Sequence, residues 1–284
     1  MKLGCFDLAL ISDGTFALDG GQIFGVVPKV MWEKKAAADA RNRVRMGLNC
    51  LLVRTGNETV LIETGIGDKY DAKFADIYNI QRQGTGPATL LDGLRACGVA
   101  PEDIDVVINT HLHFDHCGWN VRRAGENRAV PTFPRARYVV QRAEWEHALH
   151  PTERDRASYI ADFFASAEPQ TDFLDGGRQI VPGIRVEVVP GHNRDMQCVW
   201  IESDGARACF ISDLVPTRLH LAYPWIMSLD LYPLETLANK KRLLPQLVRE
   251  KTLVVFPHDH EVPWARLTTT GQDGKIAAEQ LGDA

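Results

Sequence analysis

The sequence predicts a layered α/β fold, two β-sheets with helices on their outer faces, and three observations carry that prediction. Apolar runs of strand length recur along most of the chain. Strand-like runs pair in hairpin fashion, and turns are marked at Gly20-Gly21, Asp175-Gly176-Gly177 and Asp204-Gly205. Helical patterns lie between other runs, without the strict alternation of a pure βαβ winding.

In chain order, strands are expected at Phe6–Ile11, Leu48–Val53, Val60–Ile62, Val106–Ile108, Tyr138–Val140, Arg185–Val189, Cys198–Ile201, Ala208–Ile211 and Thr252–Phe256. A helix is expected over Pro87–Ala96, because Pro suits a helix start and Gly98 follows its end. Gln141–His147, Tyr159–Ala165 and Leu234–Glu250 are also helical in pattern, and Pro245 is placed to break or kink the last of them. The stretch from about 16 to 45 carries Phe16, Phe24, Met31 and Trp32 before the polar run Glu33-Lys34-Lys35. It reads as an N-terminal arm over an active site or at a dimer contact, or else as a strand and helix packed on the core. After Gly271 a polar tail, about 271–284, is expected to be loosely ordered.

Composition narrows the class. The chain has 284 residues, 45% hydrophobic and 24% charged, which excludes disordered, collagen-like and coiled-coil chains. Its 32 Lys+Arg against 37 Asp+Glu give a net charge of −5, so nucleic acid and anionic membrane surfaces are not expected partners. Asp7 interrupts the first apolar run, a poor secretory signal, and no run is long enough to span a bilayer. Six scattered cysteines without a C-x-x-C pair read as reduced thiols in a cytoplasmic protein, Cys117 among them as a small buried hydrophobe.

The chemistry is concentrated in Thr110-His111-Leu112-His113-Phe114-Asp115-His116-Cys117-Gly118. Four nitrogen or oxygen ligands begin where the strand Val106–Ile108 ends, and imidazole with carboxylate suits Zn²⁺, Fe or Mn. Four ligands this dense do not wrap easily around one ion. Two half-sites make more sense, His111 with His113 and Asp115 with His116. Each then needs ligands from elsewhere. His192, Asp213 and His258 are the candidates, because each follows a predicted strand directly, as the cluster does. A serine nucleophile finds no G-x-S-x-G elbow, and Gly65-Ile66-Gly67 lacks the rest of a phosphate loop.

These residues, with Leu61-Ile62-Glu63-Thr64-Gly65 upstream and Gly191-His192, Ser212-Asp213 and His258 downstream, resemble the metallo-β-lactamase superfamily over about residues 48–260. The resemblance implies a four-layer αββα sandwich of two mixed sheets in a single domain over 1–284. It implies two divalent metal ions, Zn²⁺ first, with Fe, Mn or Co as alternatives. His111, His113 and His192 would hold one, Asp115, His116 and His258 the other, and Asp213 would bridge them. His260 competes with His258 and is expected at the rim. Glu63 stands where the family usually has Asp and, with Asp259, is expected to support the ligand imidazoles from behind. Asp115 would be the catalytic group, orienting a bridging hydroxide and passing a proton to the leaving alkoxide.

The segment Asp19–Lys29 followed by Trp32, and Asp213-Leu214-Val215-Pro216-Thr217 with Trp225 and Asp230-Leu231-Tyr232-Pro233, resemble quorum-quenching lactonases of N-acyl-homoserine lactones. A neutral or partly apolar small-molecule substrate is therefore expected, with Phe24, Trp32, Trp119, Tyr223 and Trp225 as candidate substrate-binding residues. Phe114 and Met227 are further candidates to line an apolar pocket. Such lactonases carry a Tyr three residues after the bridging Asp, where this chain has Pro216, and Tyr223 is the candidate to replace it. The alternatives are a phosphotriester or phosphodiester hydrolase on the same site, as in methyl-parathion-type relatives, and a non-catalytic metal-binding protein. A homodimer is a further expectation from the family.

Overall fold

The computed structural model describes residues 1–82, 89–125, 128–271 and 274–280. In the first half of the chain β1 (Lys2–Leu3), β2 (Phe6–Asp19), β3 (Arg43–Arg54), β4 (Thr59–Ile62), β5 (Val106–Ile108), the small hairpin β6 (Val121–Arg123) and β7 (Ala129–Pro131), β8 (Arg137–Gln141) and β9 (Thr171–Leu174) follow one another. Seven of them form the first sheet in the order β1-β2-β3-β4-β5-β8-β9. It is antiparallel from β1 to β4 and parallel from β4 to β9.

The second sheet runs in sequence order through β10 (Arg178–Val181), β11 (Ile184–Val188), β12 (Gln197–Ser203), β13 (Ala206–Phe210), β14 (Leu253–Val255), β15 (Trp264–Thr270) and β16 (Lys275–Gln280). Only β13 and β14 pair in parallel. Among the described residues six α-helices accompany the sheets: α1 (Gly20–Phe24), α2 (Lys29–Trp32), α3 (Ala72–Tyr78), α4 (Leu90–Ala96), α5 (Arg142–Leu149) and α6 (Pro233–Arg249).

Side-chain alternation builds four layers. In β3, Leu51 and Val53 face the second sheet, while Cys50 and Leu52 pack under Leu90 and Leu94 of α4. In β14, Leu253 and Val255 join the core between the sheets, and Val254 packs under Leu243, Leu244 and Leu247 of α6. Strands buried on both faces read as unbroken apolar runs, which is why Val106–Ile108 was legible. The architecture is the expected αββα sandwich of two mixed sheets.

Several elements differ from expectation, each for a physical reason. From Phe16 to Trp32 the stretch follows the second of its two readings, a strand and helix packed on the core, and not the first, an overlying arm. Residues 16–19 complete β2, and Phe16, Ile23, Phe24 and Trp32 are buried together. The turn marked at Gly20-Gly21 is the opening of α1 behind the N-cap Asp19. Asp175-Gly176-Gly177 carries the chain from one sheet to the other, whereas Asp204-Gly205, both with positive φ, makes a tight hairpin between β12 and β13.

Tyr159–Ala165 is not an α-helix. It contains a 3₁₀ turn, and the Tyr159 backbone bridges to His113. Within the polar tail Lys275–Gln280 forms β16 against β15, since an edge strand draws its stability from its neighbour's backbone and needs no apolar run, and residues 272–273 and 281–284 lie outside the described residues. Helix α4 starts after the N-cap Thr89, and Pro87 and Ala88 lie outside the described residues. Helix α6 continues through Pro245. No helix among the described residues is long and apolar enough to cross a membrane.

Candidate metal centre

Five strand ends supply the site. Strands β4 and β5 are parallel neighbours, as are β13 and β14, and β11 runs in the direction of β13 because two antiparallel pairings separate them. The chain therefore leaves β4, β5, β11, β13 and β14 into Glu63, His111–His116, His192, Asp213 and His258. Glu63 and Ser212 hold positive φ, at 64° and 54°, a strained backbone that turns the chain sharply at the strand ends.

Two groups of side chains result. In the first, His113 Nδ1 lies 3.1 Å from both His111 Nε2 and His192 Nε2. In the second, His116 Nε2 is 3.1 Å from His258 Nε2 and 3.7 Å from Asp115 Oδ2, with His258 Nε2 3.6 Å from that same oxygen. Asp213 lies between the groups. Its Oδ2 is 3.4 Å from His192 Nε2, and its Oδ1 is 3.2 Å from His258 and 3.6 Å from His116.

The donor set fits a pair of divalent ions. Ligands about 2.0–2.1 Å from one tetrahedral Zn²⁺ stand about 3.3 Å apart, close to the spacing within the first group. The outward-facing ring nitrogens of His111, His192 and His258 already have partners, which leaves their inward nitrogens free, whereas His113 Nε2 has none among the described residues. His111 Nδ1 meets Thr110 Oγ1 at 3.0 Å, His192 Nδ1 meets Asp230 Oδ1 at 3.0 Å and His258 Nδ1 donates to Gly47 O at 2.8 Å. Asp213 Oδ1 is buried with no hydrogen-bond donor, an orphan that a cation would satisfy.

Electrostatics point the same way. Burial first, and then neighbouring imidazoles, hold His111 and His113 well below the usual imidazole range. For Asp213 burial is opposed and outweighed by His258, His116 and His192, which keep its carboxyl well below the usual range. For His116 burial is outweighed by Asp115 and Asp213, and for His192 by Asp213 and Asp230, which hold both rings above the usual imidazole range, so metal binding would release their protons.

The loop carrying the cluster is pinned from several sides. Asn109 Nδ2 donates to His116 O, and Gln197 Nε2 donates to Asn109 O. Glu144 accepts from Leu112 N at 2.8 Å and from the Tyr159 hydroxyl at 3.2 Å, and burial pushes its carboxyl up to about 7. A Cβ on Gly118 would come within 2.0 Å of the Ile66 backbone, so the turn behind His116 tolerates no side chain. Glu63 accepts from Thr110 N and stands 3.5 Å from His116 Nδ1.

A match over residues 44–260 to the model of the metallo-beta-lactamase superfamily decides the family. The chain belongs to the metallo-beta-lactamase superfamily. Among curated relatives it is similar to an N-acyl homoserine lactonase of Bacillus cereus, 27% identical over 78% of this chain and 84% of that one. It is also similar to the N-acyl homoserine lactonase AttM of Agrobacterium fabrum, 24% identical over 62% of this chain and 65% of that one. Among solved structures, a probable metal-dependent hydrolase from Staphylococcus aureus superposes with a TM-score of 0.90 at 28% identity, covering 100% of this chain and 99% of that one. The dizinc quorum-quenching lactonase AidC shares the fold, with a TM-score of 0.81 at 19% identity over 100% of this chain and 97% of that one. The chain is thus an enzyme of a metal-dependent hydrolase superfamily.

Within this metallo-beta-lactamase fold the aromatic expectations need correction. A cavity of about 140 Å³ opens over His113, Asp115, His192, Asp213 and His258, walled by Phe16, Met46, Tyr78, Phe114, Met227, Leu229 and Arg154 among others. Phe114 and Met227 are where the sequence suggested. Phe24, Trp32, Trp119, Tyr223 and Trp225 do not line it. Phe24 stacks on Trp32 and His220 and meets Trp225 edge-on, all four buried. Trp119 donates through Nε1 to Asp13 beneath the cluster loop. Tyr223 packs beside the α6 face, and its carbonyl accepts from Lys240. Large rings bury the most apolar area per residue, so the core claimed them.

Asp259 also differs. Its carboxylate takes Arg218 and the Glu261 and Val262 amides, so it braces the loop after His258 instead of an imidazole. His260 is exposed and lines an adjoining pocket of about 380 Å³ that shares Ile23 and Met46 with the first and is also lined by Phe24. Two supports went unread in the sequence. Asp230 backs His192 from 38 positions away and is itself held by Thr236 Oγ1 at 2.7 Å. Asp13, fully buried, accepts from Ile66 N, Gly67 N, Leu90 N and Trp119. Asp230 stands in the stretch Asp230-Leu231-Tyr232-Pro233 without being given this role by it, and no local signal marks Asp13.

Proposed function

We propose that this enzyme hydrolyses small lactones or esters, N-acyl-homoserine lactones foremost, at a two-metal centre. In this reading His111, His113 and His192 would hold one ion, Asp115, His116 and His258 would hold the other, and Asp213 would be shared between them; Zn²⁺ suits this all-nitrogen-and-oxygen set. The observation that carries the reading is the division of Asp213, with one oxygen turned to His192 and the other to His258 and His116. Divalent ions bound there supply Lewis acidity and lower the pKa of water toward neutrality.

The chain's own groups do the rest. Asp115 stands at the cavity, more open than the buried His116 and His258. It orients the attacking water, takes its proton and returns it to the leaving alkoxide, so the ring oxygen departs neutral. Phe16, Met46, Met227 and Leu229 form an apolar wall that receives an uncharged substrate and holds bulk water away from the reacting carbonyl. The names of the curated relatives favour an acyl-homoserine lactone within this class.

Metal analysis of the purified protein coupled to a panel of acyl-homoserine lactones, aryl esters and aryl phosphotriesters tests the reading. The expected result is two ions per chain and ring opening that a chelator abolishes and Zn²⁺ restores. Turnover of phosphotriesters with no lactone opening would replace the proposed substrate class. Full metal loading with no turnover of any of the three would leave a binding protein.

A further inference from the structure

The cavity contains a hydroxyl that the reading above does not use. Tyr78 is the last residue of α3 and lines the same cavity as Asp115, Asp213 and His258. Its ring is held in place. It lies 4.5 Å from the Phe74 ring and 4.9 Å from the Phe114 ring, centroid to centroid, and Phe114 is the residue between His113 and Asp115. The helix end carrying it is tied to β3, since Arg43 donates to the carbonyls of Asp76 and Ile77 and Arg41 pairs with the Asp76 carboxylate at 3.0 Å.

The hydroxyl itself has no hydrogen-bond partner among the described residues, unlike the other tyrosines that reach into the interior. The Tyr138 hydroxyl donates to Asn120 O, and the Tyr159 hydroxyl donates to Glu144 and accepts from Asn193. A phenol on a braced ring, unpartnered and turned to a cavity beside the reacting groups, is a donor waiting for an acceptor that arrives with the substrate. Burial, and then the charge of Asp115, push its pKa above the ordinary phenol range, so the proton stays on through neutral pH. Tyr223, the candidate in the sequence, packs away from the cavity beside α6.

We infer that the Tyr78 hydroxyl donates a hydrogen bond to the substrate oxygen that gains negative charge during attack, the carbonyl oxygen of a lactone or ester. No bond of Tyr78 forms or breaks in this role. The bond shortens as charge develops on that oxygen, which makes Tyr78 a catalytic residue that selects for an acyl group presented at this wall. The inference rests on the hydrolytic reading of the site.

Tyr78→Phe keeps the ring between Phe74 and Phe114 and removes only the hydroxyl. The expected result is a kcat about 10²-fold lower, the typical loss for one oxyanion donor, with KM within about threefold and metal content unchanged. Tyr223→Phe leaves kcat unchanged. A second readout is independent of turnover. Protein with 3-fluorotyrosine in place of tyrosine is metal-loaded and titrated with N-hexanoyl-L-homoserine, hexanoate and diethyl phosphate, and the ¹⁹F line missing from Tyr78→Phe is followed. Movement of that line, with the Tyr138 and Tyr159 lines still, supports the assignment, even if the wild type opens no lactone and the lactonase reading itself falls. A line unmoved by all three ligands, or a wild type that turns over substrate with the variant within twofold of it, overturns the role of Tyr78.

Discussion

The imidazole–carboxylate cluster and the aromatic stack of Phe24, Trp32, His220 and Trp225 are neighbours. Ile23 and Met227 line the cavity, while Phe24 and Trp225, one and two positions away in sequence, turn into the stack. Residue type suggested function for both regions, ligands in one and substrate contacts in the other. The first region has lone pairs aimed inward with partners behind them. The second has rings closed on one another, and even its histidine is satisfied, His220 meeting Thr217 Oγ1 at 2.8 Å and Ile23 O at 2.9 Å. A polar group that points at nothing marks a site, and a large ring that touches other rings marks a core.

Substitutions can break that contrast, beginning with the largest effect. Asp115→Asn is expected to lower kcat by about 10⁴-fold, the upper end for a group that moves the reacting proton, with the melting temperature of the metal-free protein little changed. Steady-state kinetics and calorimetry would show it, and a loss under tenfold would move the catalytic role elsewhere. Trp32→Ala should do the reverse, costing about 4 kcal/mol of stability in urea unfolding while the folded fraction keeps its kcat. If activity fell while stability held, the stack would after all belong to the substrate.

The stack also carries a pH signature. Burial holds His220 at about 4 in the folded protein against 6.5 for a free imidazole. Between those values the unfolded chain binds the extra proton, so stability is full above pH 6.5 and falls as pH drops toward 4, by about 3 kcal/mol. Subtracting the unfolding free energy of His220→Asn at each pH isolates this slope from the acid sensitivity of the metal cluster. A flat difference curve from pH 4 to 6.5 would contradict it.

Smaller effects sharpen the cluster side. Asp230→Asn removes the charge behind His192 and is expected to weaken metal binding by about 10- to 100-fold, seen by competition with a chromophoric chelator. Trp119→Phe deletes one donor to Asp13 at about 1 kcal/mol, with kcat unchanged. A larger fall in kcat than in stability would return Trp119 to the substrate.

Much of this was legible in the sequence because its signals are local. The single residue between ligands in His111-Leu112-His113 and the direct step from Asp115 to His116 need no partner to be read, and a strand buried on both faces announces itself as Val106-Val107-Ile108. The strand-then-ligand pattern at His192, Asp213 and His258 depends only on where each strand ends. Edge strand β16, the 3₁₀ turns after Tyr159 and the bend of β2 through Asp13-Gly14 depend on neighbours far along the chain, and no short window contains them.

By itself, then, the sequence determined the layered fold and the residues of the cluster, since hydrophobic period and ligand spacing act within a few residues. Tertiary structure alone decided what stands behind and beside that cluster. Asp230 reached His192, Asp13 gathered the loop before Gly67, Tyr78 came to the cavity wall, and the tryptophans went to the core. Hydrogen bonding and burial are settled by which surfaces meet, and packing two sheets brings together positions that no spacing along the chain connects.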